Sequence, residues 1–97
     1  MFIVFLRFSG QREQAATFMA GHKAWIDQGV EDGVLLLVGS LQPNGGGAIL
    51  AHGVSRADLE RRVQLDPFVE HQVVTAEIVE VAPSRVDERL RFLVEAP

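Results

Sequence analysis

Three observations on this 97-residue chain predict an α+β fold of β-α-β-β-α-β order with a C-terminal helix. Apolar residues recur at two-residue spacing in some segments and at three- and four-residue spacing in others. Prolines, and glycines such as Gly10, Gly33 and Gly45, fall at the joints between these segments. One Asn-Gly pair, Asn44-Gly45, separates two apolar runs and is the strongest hairpin signal in the chain. Read together, they give the ferredoxin-like arrangement.

Phe2 to Phe8 is aromatic and β-branched, is bounded by Ser9-Gly10, and reads as the first strand. Gln11 to Asp32 reads as a long helix with Ala15, Phe18, Met19, Trp25, Ile26 and Val30 on its apolar stripe. Gly33 stops it. Val34 to Leu41 is the second strand, Gln42 to Gly47 the turn, and Ala48 to Gly53 the third strand. Ser55 opens the second helix, and its hydroxyl with Asp58 makes a capping-box pattern. Pro67 breaks that helix and starts a short turn of another, Pro67 to His71. Val73 to Ala82 is the fourth strand. After Pro83, Ser84 to Val94 reads as the C-terminal helix, with Val86, Leu90, Leu93 and Val94 apolar.

Length and composition describe one ordinary globular domain spanning residues 1–97. With no cysteine, thiol catalysis, Cys-ligated zinc and iron–sulfur clusters are excluded. A formal charge of −4 argues against a nucleic-acid partner, which needs a basic surface. No apolar run approaches the length that crosses a bilayer, and the start lacks a signal-peptide pattern, so the expected location is the cytoplasm with no membrane partner.

The strands carry a further message. Phe2, Val4, Leu6 and Phe8 share one face of the first strand, while Ile3 and Phe5 share the other. The fourth strand is likewise apolar on both sides. Two helices cover one face of a four-stranded sheet, so something else covers the second. A second copy of the chain, sheet against sheet, is the expected cover, and a C-terminal helix folded back over that face is the alternative.

Few residues could carry chemistry. His22 lies on the buried stripe of the first helix, at i+4 from Phe18 and i−3 from Trp25. It is either a core histidine bonded to backbone or a proton-transfer group facing a pocket. Asp66, before Pro67, is an N-cap, and a carboxylate held in that way could also orient an imidazole. Ser40 offers a strand-end hydroxyl to backbone or to substrate. Trp25 and Arg7 are candidate substrate contacts as well; the alternatives are a core indole and a strand-end ion pair. His52 and His71 have no ligand spacing with His22, so no metal site is expected. Gly45-Gly46-Gly47 lacks the Lys-Ser/Thr and the helix start of a phosphate cradle.

His22 and Trp25 as His-x-x-Trp, then Gly29 and Gly33, then Gly39-Ser40-Leu41-Gln42-Pro43, then Asp66-Pro67-Phe68, together resemble the YciI-like (YCII-related domain) family. The resemblance spans most of the chain, short of the C-terminal helix. It implies a ferredoxin-like fold paired into a dimeric α/β barrel. It also implies a pocket with a histidine–aspartate pair, here His22 and Asp66, with Ser40 nearby. Most members of that family have no assigned reaction; one branch is linked to dehydrochlorination of a chlorinated hydroxyquinol, and the wider superfamily includes muconolactone isomerase-like enzymes. The chain departs from the pattern at Leu41-Gln42 before Pro43.

The expected function is therefore cofactor-independent lyase or isomerase chemistry on a small cyclic or aromatic molecule. The alternative is a non-catalytic module that binds a small molecule in the same pocket. RNA recognition is disfavoured, because Ala48 to Gly53 carries no aromatic and the chain is acidic.

Overall fold

A computed structural model describes residues 1–94. Strands β1 (Phe2–Phe8), β2 (Leu35–Leu41), β3 (Gly46–Ala51) and β4 (Val74–Glu80) form one antiparallel sheet in the order β2-β3-β1-β4. Helices α1 (Ala15–Glu31), α2 (Arg56–Gln64) and α3 (Pro67–Glu70) complete the core elements. This is the split β-α-β ferredoxin-like order.

Local chemistry accounts for the boundaries. Gly33 takes φ +75° after α1, and two reverse bonds close the helix end: Gly33 N–H to the Val30 carbonyl and Val34 N–H to that of Gly29. A left-handed residue with this bond pair is a Schellman stop. The Ser55 hydroxyl accepts the Asp58 N–H at 3.1 Å and starts α2. Gly29 packs tightly under β2, since a Cβ there would stand 2.5 Å from Leu35 Cδ1.

Three segments differ from the sequence reading. The first helix begins as a 3₁₀ turn, Arg12–Gln14, with no side-chain cap, and becomes α-helical at Ala15. The third strand starts at Gly46, inside the expected turn. A Cβ on Gly46 would sit 1.9 Å from the Leu6 carbonyl, so β1 approaches a backbone that only glycine provides. The C-terminal helix expected over Ser84–Val94 is reduced to a kinked 3₁₀ segment, Glu88–Leu93. Leu90, Phe92 and Val94 remain exposed there, so no apolar face docks to extend the helix.

Register sorts the side chains into two faces. Phe2, Val4 and Leu6 of β1 with Ile49 and Ala51 of β3 meet Leu35, Leu59, Val63 and Phe68 in one buried cluster under the helices. On the opposite face, Leu37, Leu50, Ile3 and Val79 stand side by side across all four strands. Leu37 is 59% exposed. Among the described residues of the C-terminal segment, Phe92 meets the His52 ring edge-on at 5.3 Å, at the end of the sheet.

An ion pair ties α2 to the end of α1. Arg62 donates to Asp32 at 2.9 Å, and Gln28 donates to the same carboxylate at 2.8 Å. The Arg62 hydrogen bond, then that of Gln28, holds the Asp32 carboxyl below its usual range. A lowered folded-state value adds stability above the unfolded value, and that stability is lost as pH falls through the folded value. Asp32→Asn is therefore expected to be less stable than the parent at neutral pH. In urea titrations, the difference should vanish at acid pH below Asp32's folded value; a gap that persists there would count against this linkage.

Candidate functional site

Asp66 is set by its place in the chain. It caps α3, its Oδ1 accepting the Phe68 N–H at 3.0 Å, and Pro67 fixes the first helical turn behind it. The side chain has no solvent exposure. The helical stripe of α1 delivers His22 to the same point, and His22 Nδ1 lies 2.8 Å from Asp66 Oδ1. The imidazole stacks on Phe68 with ring centroids 4.0 Å apart and planes 4° apart. Trp25 flanks it at 6.4 Å.

This geometry selects the tautomer. A carboxylate accepts, so in the neutral imidazole the ring proton belongs on Nδ1 and the lone pair on Nε2. Nε2 makes no hydrogen bond among the described residues and is not a buried atom, so it opens to solvent; Asp66 Oδ2 is the buried side-chain atom left unpartnered. His22 is itself part of the wall of a cavity of about 320 Å³ between α1 and the sheet. Such a volume suits a small-molecule ligand.

The cavity is largely apolar, with Leu6, Phe8, Met19, Ile26 and Val38 among its lining residues. Ser40 lines it too, on the sheet side, next to the backbone of Gly47. Of the candidate residues, the structure thus brings His22, Asp66 and Ser40 to one place. Trp25 and Arg7 stand outside the cavity wall. The Trp25 indole donates to the Arg62 carbonyl at 2.9 Å and braces α1 against α2. Arg7 points to the opposite face, paired with Glu77 at 2.7 Å and lying over the Phe5 ring. Strand alternation explains this, because Arg7 shares the parity of Ile3 and Phe5.

Two cavity residues escaped the sequence reading. Phe68, named there only within the Asp66-Pro67-Phe68 motif, forms the platform under the imidazole. Lys23 lines the cavity beside His22. Its signal was available, since it lies at i+4 from Met19 and i−3 from Ile26. Among the described residues, no cluster of three His, Asp or Glu side chains is placed to hold a metal, and no helix is long and apolar enough to cross a membrane.

No protein-family model matches the chain, and no curated protein matches its sequence. Among solved structures it is similar to 5-chloro-2-hydroxyhydroquinone dehydrochlorinase (TftG) from Burkholderia phenoliruptrix AC1100, solved in complex with 2,5-dihydroxybenzoquinone. The TM-score is 0.66 at 14% identity, over 84% of this chain and 93% of that one. At that identity the likeness is one of fold, and it places this chain on the same α+β scaffold as a small-molecule enzyme.

Proposed function

We propose that this chain is a YciI-like protein that performs cofactor-independent acid–base chemistry on a small cyclic or aromatic molecule. The observation that carries the reading is the 2.8 Å bond between His22 Nδ1 and buried Asp66, made by an imidazole that is itself part of the cavity wall. The fold shared with a dehydrochlorinase that binds a dihydroxybenzoquinone supports the substrate class.

In this reading Nε2 of His22 takes a proton from an activated ring carbon. The electron pair of that C–H bond moves into the ring. A lyase step then expels a leaving group from the adjacent carbon, and an isomerase step returns the proton at another carbon. Asp66 is the positioning residue, holding the tautomer and stabilising the imidazolium. The Ser40 hydroxyl holds a ring oxygen. A group so placed supplies on the order of 10²–10⁴ in rate, enough for an activated ring.

The test is incubation with chlorinated hydroxyquinols and unsaturated lactones, reading chloride release and product mass. His22-dependent conversion of one such ring supports the reading. Rings that bind and are recovered intact throughout would instead make the chain a binding module.

We propose in addition that the second sheet face pairs with another copy of the chain. The row Leu37–Leu50–Ile3–Val79 is apolar from edge to edge, and exposed apolar bands of this kind mark interfaces. Sedimentation velocity should give a dimer for the parent and a monomer for Leu50→Lys. A monomeric parent would remove the proposal.

A further inference from the structure

We infer that Lys23 is the anion receptor of the cavity, and that the ligand is a small organic ring bearing an ionised oxygen, such as a phenolate, an enolate or a carboxylate. The inference deepens the acid–base reading and rests on it for the ring, but the charge is argued from the cavity alone.

Three polar side chains line an otherwise apolar hollow: His22, Ser40 and Lys23. Among the described residues no carboxylate lines it, and Asp66 lies wholly buried, with the His22 ring bonded to its Oδ1. Lys23 is thus the one formal charge on that wall. It is also the only lysine in a chain whose net charge is −4, so the sign of the cavity runs against that of the molecule.

Lys23 is not engaged elsewhere. Arg7, Arg56, Arg61, Arg62, Arg89 and Arg91 each pair with a carboxylate, while Lys23, like Arg12 and Arg85, makes no ion pair among the described residues. Asp27, one turn along α1, could take it and does not. Lys23 is exposed and also lines the cavity, so its flexible side chain can bring the ammonium to an ionised oxygen of a ligand on the open side of the hollow. His22 and Lys23 are adjacent in α1, so one bound ring can offer a carbon to the imidazole and an oxygen to the ammonium. A neutral ring gains at most an ordinary hydrogen bond from Lys23, whereas an ion-paired hydrogen bond to an oxyanion is among the stronger polar contacts.

The test uses two rings of one skeleton in calorimetric titrations. 2,5-Dihydroxybenzoquinone is ionised at neutral pH, and 2,5-dimethoxybenzoquinone has no acidic hydrogen. The parent should prefer the ionised ring. Lys23→Gln should weaken that ring by about tenfold or more and the ether far less, while Lys23→Arg should retain most of the preference. Failure of the ionised ring to bind, or equal weakening of both rings in Lys23→Gln, would overturn the inference. The two readings fail separately. Turnover lost in His22 variants without any Lys23-dependent preference sinks this inference alone. A Lys23-dependent preference without turnover of any ring supports it and sinks the acid–base reading.

Discussion

His22→Asn is expected to lower turnover by on the order of 10²–10⁴ while the protein stays folded. The two consequences have separate causes. The asparagine amide can still donate toward Asp66 Oδ1, now 2.8 Å from Nδ1, so the buried carboxylate keeps a partner. Nothing replaces Nε2, and the proton acceptor is gone. Lost stacking on Phe68 costs stability, but a single substitution of this kind stays within about 0.5–3 kcal/mol, against a total of about 5–15. His22→Ala would remove both functions and leave Asp66 without its imidazole partner, so it separates them less well. Steady-state kinetics with thermal melting reads both effects. Undiminished turnover in a folded His22→Asn protein would show that the imidazole does no chemistry.

Asp66→Ala is expected to destabilise the fold by about 1–3 kcal/mol, because the His22 Nδ1–H loses its acceptor in a largely buried place. The Phe68 N–H loses its acceptor at the same time, and with it goes the cap of α3. Asp66→Asn distinguishes the cap from the charge. Its side-chain oxygen can accept the Phe68 and His22 N–H groups, so most of the stability should return. Being neutral, it cannot stabilise the imidazolium, so turnover should stay low. Urea unfolding beside kinetics separates a positioning role from a merely structural one. Full recovery of turnover in Asp66→Asn would leave the residue only as a cap.

Those two residues show how far the chain could be read before folding. Each announces itself locally: His22 as a polar residue on an apolar stripe, Asp66 as the residue before a helix-starting proline. Their meeting across 44 positions is tertiary and invisible to periodicity; only the family resemblance joined them. Helix stops and starts at Gly33 and Ser55 were legible because a single residue's chemistry decides each. The C-terminal helix was not, because its apolar stripe needed a surface that does not receive it. Gly46 was read as turn for want of any local sign that β1 would press against it. Arg7 was decidable from parity alone. Its neighbours Phe2, Val4 and Leu6 had already claimed the helix side, so a contact with a ligand between α1 and the sheet was closed to it.

The ¹⁵N resonances of the His22 ring test most directly whether this imidazole is held ready for proton transfer. The account predicts that in the neutral ring the proton sits on Nδ1, bonded to Asp66, and that the Nε2 shift moves when a ring ligand enters the cavity. A proton on Nε2 in the neutral ring, or an Nε2 shift indifferent to every ligand that binds there, would contradict it.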